Sequence, residues 1–560
     1  MKLSTFPLNF QQETKKNEIH IKKNEKMKTF IRYLLIIQII FFALSESSHA
    51  QIFNDDIYKF GKALHYIDNY YIDSIDRSKL VEDALVNMLK ELDPHTTYLT
   101  KEEVQEMNEP LQGNFDGIGI QFNIHNDTIY VISPISGGPS EKVGIKGGDR
   151  IVKIEGENVA GTGITNQGVR DRLLGKKGTK VDITVKRAGV DKLLHFTITR
   201  DEIPIHSRDA AYMADEHIGY IKLNRFAMTT NEEFTEAAEK MKNKGANSLI
   251  LDLRGNSGGY LNQAIKLADE FLKKDRLIVY TEGRKVEREN NYATKEGVFK
   301  NGNIVILIDE GSASASEIVA GAIQDWDRGI IIGRRSFGKG LVQRPVELPD
   351  GSMIRLTIAR YHTPTGRAIQ KPYDNDRKEY NKDLLKRYNE GEMVSADSID
   401  FPDSLKYLTK TTERPVYGGG GIMPDIFIPV DTTGYSDYYS DLIRGGILNS
   451  FILDYIDQNR KELNKSYSDF ERYQSEFKIS EQILNNLHEY AKEEGLESNE
   501  EEIKTSEGEI KMLLKALIAR DLWDMNEYFQ IVNKQDKEIN RAIEVLNDWD
   551  DFSEQYLKKE

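Results

Sequence analysis

The sequence contains no cysteine among its 560 residues. This absence excludes a disulfide framework, a thiol nucleophile, a cysteine-based zinc site and a lipoprotein anchor. It leaves the redox compartment undecided, because a protein without cysteine can work in either one. Histidine is scarce as well: there are ten scattered residues and no H-E-x-x-H motif, so the sequence predicts no metal site.

An excess of positive charge is also missing. The formal net charge is −15, which argues against nucleic acid as a partner. No G-x-x-x-x-G-K-[ST] phosphate loop occurs, and we expect no cofactor. The composition, 39% hydrophobic and 30% charged, is typical of a folded globular protein. The length exceeds that of one domain of about 100–200 residues, so we expect several domains.

Long apolar runs are absent except near the N-terminus. Residues 33–44 are apolar apart from Gln38; basic residues precede them and Ser48-His49-Ala50 follows. This is the pattern of a secretory signal peptide, and the run is short for a membrane span of about 20 residues. We therefore expect residues 1–50 to be a leader and signal peptide. The protein would be exported to the periplasm or cell envelope, and membrane-associated if the signal is not cleaved. Met27 is an alternative start.

Changes in hydrophobic pattern divide the rest of the chain into four parts. Residues 51–112 favour amphipathic helix, and residues 113–203 favour short strands separated by glycines, as in a compact β-domain. Residues 204–435 alternate strand, loop and helix, and their apolar strands predict an α/β core. Within this core, residues 371–412 are charged and poorly periodic, which predicts a surface excursion. Residues 436–560 are predicted to be helical.

Ser314 is the first candidate for chemistry. It is the middle one of three serines that alternate with alanines at residues 312–316. The pattern predicts a serine at a helix N-terminus, where free N–H groups and the helix dipole can stabilise an oxyanion. Ser314 and Glu317 also match a capping box, which needs no chemistry. This motif alone leaves both interpretations open.

Lys339 is the second candidate and lies between Gly338 and Gly340. A solvated lysine here would be a turn residue. A buried one would have a lowered pKa and could accept a proton from a serine. Gln343, four residues later, could hold such an amine in place.

Two other serine motifs compete with this pair. Residues 255–259 match the G-x-S-x-G elbow of α/β-hydrolases, which would make Ser257 the nucleophile. Such an enzyme needs a later histidine, and only His362 and His488 lie downstream, so this alternative stays open. Residues 336–339 match S-x-x-K, but the flanking glycines disfavour the helix on which that motif occurs, and no K-T-G follows.

Taken together, the motifs resemble those of the carboxyl-terminal processing, or tail-specific, proteases. The resemblance runs from about residue 71 to about residue 433. It rests on residues 93–99, 117–119, 147–151, 251–259, 311–317, 337–340, 363–367 and 421–425. It implies a multidomain α/β protein: a crotonase-like α/β spiral protease core with an inserted β-rich PDZ domain, an N-terminal helical segment and a C-terminal helical region. The implied activity is that of a serine endopeptidase without metal or cofactor.

The resemblance also implies roles for single residues. Ser314 would be the nucleophile and Lys339 its general base, supported by Gln343. The backbone amides of Ala315 and Gly258 would form the oxyanion hole.

The resemblance further implies that the segment Gly117-Ile118-Gly119-Ile120 is the carboxylate-binding loop of the PDZ domain. Its N–H groups would bind the C-terminal carboxylate of a protein substrate, whose tail adds as a strand. Some relatives carry arginine where this chain has Leu174, and that arginine couples PDZ binding to activation. Arg172 could substitute for that arginine, so the question of coupling stays open.

Two further questions stay open at this stage. The helical region after residue 435 could mediate homo-oligomer formation, contact a regulatory or adaptor protein, or pack against the core. The chain could also be a PDZ-containing binding protein whose catalytic core has decayed. The intact set of Ser314, Lys339 and Gln343 argues against decay.

Overall fold

The computed structural model describes residues 55–135, 137–294, 297–373 and 377–557. The predicted leader and signal peptide, residues 1–50, lie outside these ranges. The described part of the chain divides into two compact units, one ending at Ala84 and the other beginning at Leu85. Helix α1 spans Asp55–Tyr70 and helix α2 spans Arg77–Lys90. No helix within the described ranges is both long and apolar enough to cross a membrane.

A β-rich region follows β1 (Thr97–Leu99) and α3 (Lys101–Gln112). Its elements are β2 Asn114–Gly117, β3 Ile120–His125, β4 Thr128–Pro134, α4 Pro139–Val143, β5 Arg150–Ile154, β6 Glu157–Asn158, α5 Asn166–Leu173, β7 Lys180–Lys186, β8 Leu194–Thr199 and β9 Asp201–Pro204. Strands β3–β8 form an antiparallel sheet in which β3 is an edge strand. Strands β2 and β9 pair where the chain enters and leaves the region. Alternating valines and isoleucines build the core of this region.

The following region alternates strands and helices, as predicted. Its elements are β10 Arg208–Asp215, β11 Ile218–Leu223, α6 Thr230–Asn243, β12 Ser248–Asp252, α7 Leu261–Asp269, β13 Leu277–Glu282, β14 Glu289–Tyr292, β15 Asn303–Ile308, α8 Ala315–Asp325, β16 Ile330–Gly333, β17 Leu341–Glu347, β18 Met353–His362, α9 Arg377–Asn389, β19 Lys406–Leu408, β20 Pro415–Tyr417 and β21 Ile426–Phe427. Six strands form the main sheet in the order β10-β11-β12-β15-β16-β21. All pairs in it are parallel except β10 with β11.

The main sheet is covered on both faces, which explains its continuous apolar strands. On one face, Leu249, Leu251 and Ile306 pack in a cluster that includes residues of α6, α7 and α8. On the other face, Ile250 and Val305 belong to a separate cluster. Successive side chains of one strand therefore pack in the two different apolar clusters.

A second sheet positions the residues around the site. Its strands run in the order β1-β18-β13-β14, and β17 pairs with β18. Through β1, the segment at residues 93–99 is attached to β18, with Thr97 opposite Arg355. The β17–β18 hairpin follows directly after the loop that carries Lys339.

The C-terminal region is helical, as predicted. Its helices are α10 Asp437–Arg444, α11 Ile447–Ser466, α12 Phe470–Glu476, α13 Glu481–Glu493, α14 Glu500–Leu522, α15 Met525–Val532, α16 Lys537–Asn547 and α17 Trp549–Tyr556. Helices α10–α15 share an apolar core. Helix α16 leaves this bundle and packs on the second face of the main sheet with Ile539, Val545 and Leu546. The region therefore packs against the core, one of the three roles left open above.

Candidate active site

The three alternating serines have different surroundings. The hydroxyl of Ser312 donates to the Leu253 carbonyl at 2.8 Å, and the hydroxyl of Ser316 donates to the Asn256 carbonyl at 2.8 Å. Both serines are completely buried. Ser314 is only partly buried. The outer two serines therefore fix the loop to the segment after β12, and the middle one is the serine that remains accessible for reaction.

Ser314 lies in a strained turn between β15 and α8. Its φ is +57° and its ψ is −109°, a region that residues with a side chain rarely adopt. A sharp strand-to-helix turn of this kind is the feature that the G-x-S-x-G elbow predicts at Ser257. The structure shows it at Ser314 instead. At the helix N-terminus the Ala315 amide has no intrahelical acceptor, so it is available to an oxyanion.

Gly258 lies directly against the nucleophile segment. A Cβ atom at this position would come within 2.8 Å of Ser314 Cβ and 3.0 Å of the Ala315 nitrogen, and φ is +105°. Only glycine permits this approach. The Gly258 amide, however, donates to Asn256 Oδ1 at 2.9 Å. The loop is thus adjacent to Ser314, as the oxyanion-hole prediction requires, but this amide would have to leave its present acceptor to serve there.

Ser257 has no catalytic partner in the described part of the chain. The His362 ring is hydrogen bonded to the Gly366 carbonyl and stacks on Tyr280. The His488 ring is hydrogen bonded to the Tyr438 hydroxyl within the C-terminal bundle. Neither histidine forms a hydrogen bond with Ser257, so the geometry gives the elbow-hydrolase alternative no support.

Lys339 is in a loop that packs against the serine loop. The Phe337 amide donates to the Ser312 carbonyl at 2.9 Å, which joins the two loops. Burial and, to a smaller extent, the nearby Arg355 cation lower the pKa of Lys339 to about 8, against the opposing effect of the Glu317 and Asp93 charges. Burial and the nearby charge of Lys339 lower the pKa of His95 to about 4. The lysine is thus in the environment that the general-base hypothesis requires.

No hydrogen bond joins Ser314 Oγ to Lys339 Nζ among the described residues. The two residues are held near each other through Glu317, one turn into α8. Its buried carboxylate accepts from the Ser314 amide at 2.8 Å and from the Lys339 amide at 2.9 Å. The sequence indicated Glu317 only as a capping residue. Its acidic type, three residues after Ser314, was the available signal.

Gln343 lies on β17, and its hydrogen-bond partner in the structure is not Lys339. Its side-chain amide donates to the His95 carbonyl at 2.6 Å. It therefore connects the hairpin to the segment at residues 93–99, which lies close to Lys339. Support of the lysine by Gln343 remains a prediction.

The predicted surface excursion at residues 371–412 covers part of this region. Helix α9 lies within it, and its Tyr380 is buried and hydrogen bonded to His95 Nε2 at 2.7 Å. Arg377 donates to the Pro94 carbonyl at 2.7 Å, and Arg387 donates to the Arg335 carbonyl at 2.7 Å. The segment is therefore attached to both sides of the lysine loop.

The predicted carboxylate loop joins β2 to the edge strand β3. Ile118 is buried in the core of the β-rich region, and Gly119 has a φ of +72°. Gly117 ends β2, and Ile120 begins β3. The loop thus leads into a strand whose outer edge is open to a further strand. Leu174 lies against this loop: a Cβ atom added to Gly117 would come within 3.1 Å of Leu174 Cδ2.

Family profiles match four parts of the chain. The profile of Peptidase family S41 matches residues 217–377, and that of the PDZ domain matches residues 117–198. The profile described as the activating protease CtpB N-terminal domain matches residues 10–103. Residues 438–524 match a family of unknown function, DUF8443. The C-terminal bundle is thus recognised as a family of its own.

Several curated proteins are similar over a large part of the chain. The carboxy-terminal-processing protease of Bartonella bacilliformis is 40% identical over 317 residues, which are 56% of this chain and 72% of that protein. The carboxy-terminal processing protease CtpA of Bacillus subtilis is 38% identical over 314 residues, 56% of this chain and 66% of that protein. CtpB of the same organism is 35% identical over 316 residues, 56% of this chain and 65% of that protein.

Proposed function

Because this chain belongs to the carboxy-terminal processing serine proteases of peptidase family S41 and carries their PDZ domain, we propose that Ser314 and Lys339 are its catalytic dyad. One observation carries the proposal: the accessible serine of the strained turn and a lysine of lowered pKa are held by the same carboxylate. Neutral Lys339 would remove the Ser314 proton as the hydroxyl attacks the peptide carbonyl.

The oxyanion of the tetrahedral intermediate would be stabilised by backbone amides. The Ala315 amide at the start of α8 is one donor, and the Gly258 loop supplies the second after its amide leaves Asn256 Oδ1. Lys339 would then protonate the leaving amine, and water would hydrolyse the acyl-enzyme. Gln343 would act on Lys339 only after it releases the His95 carbonyl.

We further propose that the substrate is a protein with a free C-terminus. Its carboxylate would bind the amides of the loop Gly117-Ile118-Gly119-Ile120, and its tail would pair with β3. The open edge of β3 supports this mode of binding. The crotonase-like α/β spiral remains our proposal for the core, supported by the mainly parallel main sheet, its flanking helices and the second sheet beside it.

The decisive test is cleavage of an unfolded protein that ends in apolar residues. We expect Ser314→Ala and Lys339→Ala each to lower kcat by at least about 10³-fold, because each removes a reacting group. Ser257→Ala is the matched control and should stay within a few-fold of the parent. Full activity of Ser314→Ala together with inactivity of Ser257→Ala would show that the elbow hydrolase is the correct interpretation. Inactivity of the parent toward every such substrate would favour the decayed binding protein.

The pH dependence tests the role of the lysine. Only the neutral amine can accept the serine proton, so kcat/KM should rise with pH and level off above about 8, the pKa of Lys339. A profile already flat between pH 6 and 9 would contradict Lys339 as the base.

Export remains a proposal that rests on the pattern at residues 33–50. We expect the mature protein to begin after Ala50, which N-terminal sequencing of the protein purified from the cell envelope would show. Retention of residues 33–44 in that protein would indicate an uncleaved membrane anchor instead.

A further inference from the structure

The main chains of Ser314 and Lys339 are connected by two side chains, not one. Glu317 Oε2 accepts from both of their amides, as described above. The Tyr361 hydroxyl donates its single hydrogen to the Ser314 carbonyl at 3.1 Å and to the Lys339 carbonyl. One carboxylate thus binds the two amides, and one hydroxyl binds the two carbonyls.

We propose that Glu317 and Tyr361 are positioning residues that set the separation between the nucleophile and its general base. The inference rests on the proposed function of Ser314 and Lys339. These residues lie on different segments, at the start of α8 and in the loop before β17, and no direct hydrogen bond joins their side chains within the described residues. Something else must fix their distance, because a displacement of about 1 Å can cost about 100-fold in rate.

Glu317 is suited to this role because its carboxylate meets only donors. Oε1 accepts from the Ser336 hydroxyl at 2.6 Å and from the Gly338 amide at 2.7 Å. Its side chain is almost completely buried and, among the described residues, forms no ion pair. Burial raises the pKa of Glu317 to about 7. A proton on Oε2 would face two amide donors, and a proton on Oε1 would face the Gly338 amide or require the Ser336 hydroxyl to stop donating, so all four groups donate together only to the ionised carboxylate.

Tyr361 is suited because its hydroxyl does little else. Its ring lies in the main core, and its amide donates to the Gly340 carbonyl at 3.0 Å, next to the lysine. The hydroxyl is the polar group that reaches Ser314 and Lys339. Burial holds the pKa of Tyr361 well above its usual value, so the hydroxyl keeps its hydrogen. Tyr361→Phe therefore removes the contact and leaves the packing of the ring in place.

The test compares two conservative variants with two matched controls. Tyr361→Phe is paired with Tyr473→Phe, which removes another buried hydroxyl that donates to a carbonyl, that of Lys515, at 2.9 Å. Glu317→Gln is paired with Glu233→Gln, whose carboxylate also accepts from two backbone amides, those of Ser207 and Arg208. For each, kcat, KM and the rate at which an organophosphorus fluoride phosphorylates Ser314, with loss of fluoride, are measured together with Tm.

We expect kcat and the rate of Ser314 phosphorylation in Tyr361→Phe to fall together by about 10- to 100-fold, with KM changed by less than about twofold. Tyr473→Phe should keep the parental kcat at a similar shift in Tm. In Glu317→Gln, loss of the negative charge should also move the rise of kcat/KM with pH below about 8. Arg355, Asp93 and His95 also face Lys339 and are unchanged in this variant.

Two results would overturn the inference. One is a Tyr361→Phe variant with more than half of the parental kcat. The other is a loss of activity in Tyr361→Phe that only follows its loss of Tm, as in Tyr473→Phe. If Glu317→Gln does not fold, the comparison of Tyr361→Phe with Tyr473→Phe decides the question. Activity in Ser314→Ala would refute the dyad itself, so failure of the proposed function and failure of this inference are distinguishable.

Discussion

The C-terminal helical region contacts the protease core and the PDZ domain by different means. Against the core, α16 inserts Ile539, Val545 and Leu546 into the second face of the main sheet, where all three are buried. Against the PDZ domain, α11 offers charged groups. Asp457 pairs with Arg150 at 2.8 Å, and the Asp454 carboxylate contacts His125 at 3.1 Å.

At the polar contact between α11 and the PDZ domain, some buried polar atoms form no hydrogen bond within the described residues. Tyr130 Oη, Arg460 Nε and Asp521 Oδ2 are buried there without a hydrogen-bond partner in the described part of the chain. Burial raises the pKa of Tyr130 to about 12. An unsatisfied buried polar atom costs about 1–3 kcal/mol, and access of water removes that cost. Helix α16 therefore belongs to the fold of the core, whereas we expect the contact of α11 with the PDZ domain to open at a smaller cost in free energy.

The largest effect should come from breaking the apolar contact. Ile539→Asp places a charge between α16 and the main sheet, and we expect the free energy of unfolding to fall by about 4 kcal/mol or more. Chemical denaturation measures this change. Asn540→Asp adds the same charge on the exposed side of α16 and should change stability by less than about 0.5 kcal/mol. Equal effects of the two variants would show that α16 is not part of the core.

An intermediate effect is expected at the ion pairs beside α16. Glu538 lies between Arg254 and Arg334, with hydrogen bonds to both. Each arginine keeps another acidic partner, Asp536 or Glu310, at 2.8 Å. Glu538→Gln should therefore lower the free energy of unfolding by about 1–3 kcal/mol, short of a completely unpaired buried charge.

The measurement for this variant is again chemical denaturation. Glu544→Gln, which removes one exposed carboxylate of the same helix, is its control and should be nearly neutral. A Glu538→Gln variant as stable as that control would show that the ion pairs add nothing to the apolar contact.

A small effect on stability should follow from breaking the polar contact. Asp457→Asn removes a partly exposed ion pair, and the global free energy of unfolding should change by less than about 1 kcal/mol. Hydrogen exchange at the Gly147 and Gly148 amides should nevertheless accelerate, because the contact opens more often. Asp201→Asn, which removes an exposed pair with Lys177 within the PDZ domain, should leave those amides unchanged. An unchanged rate of hydrogen exchange at these amides in Asp457→Asn would show that the contact does not open.

The smallest effect is expected from salt, which should weaken the polar contact and leave the apolar contact unchanged. Raising the ionic strength from about 0.05 M to 0.5 M screens partly exposed charges and leaves apolar burial in place. Exchange at Gly147 and Gly148 should increase, while protection in β12 and β15 stays constant. Equal responses in the two places would contradict the comparison.

Much of the core could be predicted from local pattern. The alternation of strand, loop and helix predicted for residues 204–435 is present in the structure. Helix α9 could not be predicted, because the segment is highly charged and its apolar residues show little periodicity; its buried residues are Tyr380 and Arg387. Their partners include His95 and Glu392. Contacts of this kind depend on the tertiary fold, and no local rule contains them.

The site divides in the same way. Ser314 and Lys339 were visible as candidates because serine, lysine and glycine occur there in recognisable motifs. The role of Tyr361 was not visible, because its hydroxyl contacts two backbone carbonyls, and any residue type supplies a carbonyl. Gln343 shows the opposite case. Its place in a motif suggested a partner, and the structure gives its amide the His95 carbonyl instead.

The position of α16 has a consequence for how the protein is made. The ribosome releases a chain from its N-terminus, so the strands of the main sheet, including Ile426–Phe427, emerge well before residues 537–547. Until then, the sheet face with Ile250 and Val305 has no cover, and this apolar surface is open to other chains. We expect a protein interrupted before α16 to carry both residues of the proposed dyad and yet to expose this apolar face, so the core would be covered only after residues 537–547 have emerged.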